Sequence, residues 1–137
     1  MWTYATSGMS LESDVEPIEL HLFSRTESER HIELLTVVSH YHRTGILLNE
    51  GHTVNFGEPW VPGSTCNHGL LSRPYLDGPD LEYLDFGNTR VRFLWLIPIT
   101  QAELAYKKQF GLQKLEQEFE SQSLDYLNPA RASAVRI

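Results

Sequence analysis

Arg90-Val91-Arg92-Phe93-Leu94-Trp95-Leu96-Ile97-Pro98-Ile99-Thr100-Gln101-Ala102-Glu103 is the stretch that decides the fold. In an extended chain, Val91, Phe93, Trp95 and Ile97 share one face, and Arg92, Leu94 and Leu96 share the other. Apolar residues on both faces at the far end require cover on both, which places this strand in the centre of a sheet. Pro98 brings no N–H to a ladder and is expected to end it. Thr100 and Glu103 have the spacing of a capping box, in which each side chain satisfies the other residue's free backbone N–H. A helix should therefore open there and run to about Phe110. Gly111 breaks or kinks it, and Leu112, Leu115 and Phe119 carry the apolar stripe on to about Gln122.

Working back from this strand, Leu81 to Phe86 pairs with Arg90 to Ile97 across Gly87-Asn88, a tight hairpin signal. Ile18-Glu19-Leu20-His21-Leu22 alternates apolar and polar residues, which predicts a half-buried strand with Ile18, Leu20 and Leu22 inward. Trp2 and Tyr4 alternate through Thr3 to Thr6 as a further short strand. Glu12, Asp14, Glu16 and Glu19 surround Pro17 as an acidic patch, expected as a solvated loop and strand face. Thr26 and Glu29 match a second capping box, followed by Ile32, Leu35 and Val38 at helical spacing with Leu34, Val37 and Tyr41 beside them. Gly45 stands where a left-handed C-terminal cap is wanted, so a helix is expected over Glu27 to Arg43. Between Gly51 and Asp80 fall five of the nine glycines and four of the seven prolines. Gly51, Gly57, Gly63 and Gly69 recur every six residues, but Val54, Trp60, Cys66 and Ser72 between them do not repeat, so this is no solenoid. Short strands at Thr53 to Phe56 and Leu70 to Ser72, joined by turns and long ordered loops, are expected instead. The sum is an α+β fold, a mainly antiparallel sheet covered by two or three helices.

At 137 residues the chain has the length of a single domain, 1–137, with a short tail over 130–137 that is expected to be mobile. Its 41% hydrophobic content excludes disorder across the whole chain. The balance of 11 basic against 18 acidic residues, a net charge of -7, opposes general DNA or RNA binding. The same charge steers a basic protein partner towards the surface. No apolar run is long enough for a membrane span, and Met1-Trp2-Thr3-Tyr4 is not a signal peptide. Cys66 is the only cysteine, which excludes an internal disulfide. The expected location is the cytoplasm.

The candidate chemistry is thin. His40 and His42, two apart on a helix, point to opposite sides and cannot grip one ion together. Cys66 and His68 on an extended segment would need two further ligands to close a zinc shell, so neither metal nor cofactor is expected. A Cys66 nucleophile with His52 or His68 as base has no supporting local context. The glycine-rich stretch contains no phosphate-binding motif. Among Asp77, Asp80, Glu82 and Asp85, a carboxylate pair is conceivable, but Asp77 and Asp80 flank Gly78-Pro79, where acidic residues usually shape turns. No catalytic residue is assigned. The recognition candidates are Trp60, set between Pro59 and Val61-Pro62, and Tyr75, after Pro74, since rigid loops bearing large aromatics lose little entropy on binding. Asp77 and Asp80 join them as charge selectors, bordering a groove at exposed strand edges near Thr53 to Phe56 and Leu70 to Ser72. The competing structural reading is that Trp60 and Tyr75 plug the sheet edge.

Long stretches of the chain are similar to a known family. They are Trp2-Thr3-Tyr4-Ala5-Thr6 with Gly8-Met9-Ser10, Gly51-His52-Thr53-Val54-Asn55-Phe56-Gly57, and Pro59-Trp60-Val61-Pro62-Gly63-Ser64. To these add Tyr75-Leu76-Asp77-Gly78-Pro79, Phe93 to Thr100 followed by Glu103 and Tyr106, and Leu124-Asp125-Tyr126-Leu127 with Pro129, Arg131 and Ser133. Together they resemble the suppressor of fused domain in its bacterial form. The resemblance implies an α+β binding module without catalysis. Animal members sequester a transcription factor of Hedgehog signalling by accepting a short peptide as an added strand, and for bacterial members the resemblance implies toxin-neutralising immunity proteins or accessory parts of such systems. Two departures limit the transfer: the chain has no room for the second domain of the animal proteins, and it is expected to lack the family's N-terminal segment. The function implied is a protein-binding module, an immunity protein that occludes a basic toxin. The alternatives are a Cys/His- or metal-dependent enzyme and a regulatory homodimer.

Overall fold

The computed structural model describes residues 2–11, 14, 16–45, 47–73 and 82–135. The elements are β1 (Trp2–Ala5), β2 (Ile18–Ser24), α1 (Glu29–Thr44), β3 (Thr53–Asn55), β4 (Cys66–Ser72), β5 (Tyr83–Phe86), β6 (Thr89–Thr100), α2 (Gln101–Phe110) and α3 (Leu112–Ser121). The six strands form a mixed sheet in the order β1-β2-β6-β4-β3, with β5 on β6. β1–β2, β3–β4 and β5–β6 are antiparallel, whereas β2 and β6 run parallel, so the expected mainly antiparallel sheet carries a parallel pair near its centre. The fold class is α+β as expected. By their contacts the residues group into two compact units, 1–52 with 71–96, and 53–70 with 97–137.

In the first unit, the hairpin falls where the Gly-Asn signal put it. Phe86 pairs with Thr89, and Gly87 takes φ +63 in the intervening two-residue turn, a conformation glycine adopts without strain. β2 differs from expectation. All seven of its residues are buried, including Glu19 and His21: β1 and β6 pair with its two edges, residues 6–10 fold over Glu19, and aromatic rings cover His21. The His21 ring is enclosed by Phe23 (5.0 Å between centroids) and Phe93 (6.1 Å), and Phe23 packs edge-on against Trp95 (5.2 Å). α1 begins two residues later than the capping-box spacing suggested. Its N-cap is Ser28, whose hydroxyl accepts from Arg30 N–H, while the main chain of Thr26 is engaged by the Ser24 hydroxyl instead. The buried stripe is His31, Leu34, Leu35, Val38 and His42, leaving Ile32, Val37 and Tyr41 exposed. Gly45 is not left-handed (φ -112). A Cβ there would stand 2.9 Å from Tyr41 O, so close approach is the reason for the glycine.

In the second unit, β4 is longer than expected and pairs with β3 in the register Thr53↔Leu70 and Asn55↔His68. β6 does not stop at Pro98. It continues to Thr100, and the Pro98 carbonyl accepts from Arg131 Nη2 (2.6 Å). The capping box is present: Thr100 Oγ1 accepts from Glu103 N–H (3.2 Å), and Glu103 Oε1 accepts from Thr100 N–H (2.8 Å). Gly111, at φ +95, separates α2 from α3, and the two helices pack together with Leu115 and Phe119 buried. Residues 131, 133 and 134, at the start of the segment expected as a tail, make hydrogen bonds to the β6 end and α2. The Arg131 guanidinium bridges both Glu103 carboxylate oxygens (2.7 and 2.8 Å), Ala134 N–H donates to Glu103 Oε2 (2.8 Å), and Ser133 meets Thr100 hydroxyl to hydroxyl (2.8 Å).

Candidate protein-binding surface

Strand ends and edges, not a catalytic cluster, are what the described residues present. β3 is terminal in the strand order, so the edge expected at Thr53 to Phe56 is a sheet edge. Leu71 N–H donates to His52 O (3.0 Å) and Phe56 N–H to Asn67 O (3.1 Å). The alternation of an antiparallel ladder then turns the N–H and C=O groups of Thr53 and Asn55 away from β4. The second expected edge, Leu70 to Ser72, is a correction: it belongs to β4, an inner strand, and all three residues are buried.

The opposite edge is β1. Thr6 N–H donates to Leu20 O (2.8 Å), so by the same alternation Thr3 and Ala5 face outward. Beside β1 lies a cavity of about 480 Å³ walled by Tyr4 to Ser7 on one side and by Ile32, Thr36, His40 and Arg43 of α1 on the other. Tyr4 sets the spacing of the walls, since its hydroxyl accepts from Ser28 N–H (2.7 Å) and its ring lies 5.6 Å from that of His31.

The loop between β1 and β2 is built around a buried carboxylate. Glu19 Oε1 accepts from the Thr6 hydroxyl (2.6 Å) and Met9 N–H (3.1 Å). Glu19 Oε2 accepts from Gly8 N–H (3.3 Å), Ser10 N–H (2.9 Å) and the Ser10 hydroxyl (2.5 Å). Successive N–H groups converging on one anion form a nest, and Gly8 at φ +93 supplies the left-handed residue such a turn needs. Burial pushes the Glu19 carboxyl up, but the bonds from Ser10, Thr6 and the backbone outweigh it and hold the carboxyl below the usual glutamate value of 4.5. A carboxylate whose folded pKa is depressed contributes stability above its unfolded pKa and loses it as pH falls through the folded one. We therefore expect the wild type to lose more stability than Glu19→Gln as the pH falls from about 4.5, measured by denaturant midpoints at each pH. Parallel curves for the two proteins would show that the nest contributes nothing.

The rest of the acidic patch is also engaged. Arg43 bridges Asp14 (2.7 Å) and holds its carboxyl below the ordinary range, and the Asn49 amide donates to Glu16. Glu12 lies outside the described residues.

Of the four recognition candidates, Tyr75, Asp77 and Asp80 lie outside the described residues. Trp60 is 1% exposed and packs edge-on against Phe56 (5.5 Å), which is the packing alternative and not a displayed anchor. Its N–H, held by Cys66 O (2.7 Å), ties the loop to β4. Replacing Trp60 therefore probes folding before it probes contact. Cys66 is fully buried, and burial pushes its thiol up, away from the reactive thiolate. His68 is buried with Nδ1 at 2.7 Å from Asn67 Oδ1. His42 Nδ1 accepts from Leu48 N–H (2.8 Å), and burial lowers the pKa of both His42 and His68. Among the described residues, no group of three or more His, Cys, Asp and Glu is placed to hold a metal ion. No described helix is long and apolar enough to cross a membrane.

A sheet whose terminal strands turn main-chain groups outward can accept a further strand, a mode that protein-binding modules use. The profile of the family described as Suppressor of fused protein matches residues 1–132, and the chain belongs to that family. A suppressor of fused homologue from Neisseria gonorrhoeae is 36% identical, with TM-score 0.84 over 99% of this chain and 71% of that one. Drosophila Suppressor of Fused shares the fold at 15% identity, TM-score 0.76, over 97% of this chain and 38% of its own. The immunity protein YqcF of Bacillus subtilis (strain 168) is 34% identical over 68 residues, half of this chain but only 35% of that protein. The likeness to the immunity protein thus spans about a third of its length.

Proposed function

We propose that the protein is a non-catalytic immunity-type module that neutralises a basic toxin by occlusion, taking an extended segment of it as an added strand on β3. The observation that carries the reading is the terminal position of β3, with Thr53 and Asn55 turned outward. Main-chain bonds of such an edge supply affinity, and neighbouring side chains supply selectivity. The name of the Bacillus subtilis relative supports an immunity role. The net charge of -7 supports a basic partner, because complementary charge raises the association rate. The buried, high-pKa Cys66 supports binding over thiol chemistry, and an unoxidised lone thiol suits the cytoplasm.

The test is a kinetic comparison with the partner recovered from the native cell. Asp77→Asn combined with Asp80→Asn should slow association and flatten its salt dependence, with less effect on dissociation. Thr53→Pro deletes an N–H that the β3–β4 ladder does not use, so the fold should persist while dissociation accelerates. The two variants must therefore differ in kind. Unchanged kinetics in both would place the binding face away from β3 and these carboxylates.

A further inference from the structure

We propose that the protein carries a socket for a lysine side chain of its partner, a cleft of about 340 Å³ whose charge comes from the buried Glu19 carboxylate. The strand register builds it. Glu19 of β2 stands opposite Phe93 of β6, and Val91 of β6 stands opposite Leu84 of β5. Residues opposite in register share a face of the sheet, and Val91 and Phe93, two apart on one strand, share it too. Glu19, Leu84, Val91 and Phe93 therefore line one cleft, to which the loop returning over Glu19 adds Leu11. Leu84 is 50% and Leu11 49% exposed, so the apolar walls are open to an incoming chain.

The charge at its floor lacks a counter-ion. Among the described residues, every bond to the Glu19 carboxylate comes from a neutral donor: the backbone of Gly8, Met9 and Ser10, and the hydroxyls of Thr6 and Ser10. Those donors hold it ionised. No Lys, Arg or His among the described residues lines the cleft, and nearby Arg90 is already engaged by Asp85 (3.5 Å) and the Tyr83 ring (4.2 Å). A buried charge without an opposite partner projects its field into the adjoining cleft, where low-dielectric walls focus it. The hydroxyls pass it on. Ser10 Oγ gives its hydrogen to Glu19 Oε2 (2.5 Å), so only lone pairs remain on that oxygen, and Ser7 and Thr89 add two more hydroxyls to the lining.

A lysine fits this site better than an arginine. Guanidinium recognition depends on an open carboxylate that two parallel N–H groups can grip, and both Glu19 oxygens are taken. An ammonium is a compact point charge with three rotatable donors, suited to a group of hydroxyl oxygens. Its flexible four-carbon stem lies along apolar walls. The socket rests on the proposed function only for the basic character of the partner, and no residue of β3 lines it.

Titration of the isotope-labelled full chain with Nα-acetyl-lysine N-methylamide, followed through backbone amide shifts, tests it. We expect saturable shifts at Gly8, Met9 and Ser10, and binding of the arginine analogue weaker by about fivefold or more. The norleucine analogue, which keeps an apolar stem without the charge, should not bind. Glu19→Gln should weaken lysine binding by about tenfold or more. Leu84→Lys plants a competing ammonium at an exposed wall position and should fold normally. It should abolish binding, and so reports even where Glu19→Gln does not fold. Thr53→Pro should bind the probe as the wild type does, which keeps a failure of the socket distinct from a failure of strand addition at β3. The socket is overturned by the absence of saturable shifts at these amides up to the solubility limit of the probe. Equal binding of the norleucine or arginine analogue overturns it too, as does binding indifferent to Leu84→Lys or to a folded Glu19→Gln.

Discussion

Trp95→Ala is expected to lower the unfolding free energy by about 3–5 kcal/mol, the usual cost of deleting a large buried aromatic. Trp95 is 1% exposed on β6, with Phe23 of β2 standing edge-on against it at 5.2 Å. β2 and β6 are parallel neighbours, paired from Ile18↔Arg92 to His21↔Trp95, so the indole closes the packing at the end of that ladder. Removing it leaves a cavity bordered by Phe23, and a rigid strand pair relaxes into such a space poorly. The measurement is a urea denaturation midpoint at constant m-value. A midpoint that hardly moves would mean that β6 is not the centre of the core.

Arg131→Ala should cost as much by a different route, about 3–5 kcal/mol, because it strands the Glu103 carboxylate inside the second unit. The Glu103 side chain is fully buried and that of Arg131 nearly so. One guanidinium meets the Glu103 carboxylate through two nitrogens, takes the Pro98 and Ala132 carbonyls, and lies 5.6 Å from the centre of the Phe119 ring. It thereby joins the end of β6, the first turn of α2 and the C-terminal residues. Deleting one partner of a buried pair is far worse than replacing both with apolar groups. Glu103→Gln combined with Arg131→Met should therefore recover part of the loss. If the single variant is as stable as the wild type, residues 130–135 are not structurally tied to α2.

β6, its hairpin and the α2 cap were legible because each is written locally. Period-two apolarity on both faces, a Gly-Asn turn and a Thr-x-x-Glu box all sit within a few residues of the structure they specify. The burial of Glu19 was not legible. Its alternation with Leu20 and Leu22 reads as a solvated face, and only the return of Thr6 to Ser10 covers it. The clue available was the hydroxyl- and glycine-rich run Thr6-Ser7-Gly8-Met9-Ser10, whose groups are suited to cradling an anion. For α1, Ser24, Thr26 and Ser28 compete within five residues, and the box spacing at Thr26 misled because its main chain was already taken by Ser24. β6 runs on past Pro98 to Thr100, and the Pro98 carbonyl is held by Arg131, 33 residues away, a partner no local pattern reveals. That β3 is a sheet edge, the one proposed above for partner binding, was legible from its short strand and flanking turns. The role of Trp60 was not, since a tryptophan between prolines reads equally as an anchor or a plug, and packing against Phe56 decides for the plug.

The central claim is that this chain works by holding a protein partner. Its most direct test is co-purification from the native cell with the wild-type chain and Thr53→Pro as parallel baits, at low and high salt. The account expects one basic protein to be retained stoichiometrically by the wild type, released by salt, and depleted on Thr53→Pro bait of unchanged stability. Recovery of no partner, or of an equal amount on both baits, would contradict binding by strand addition at β3.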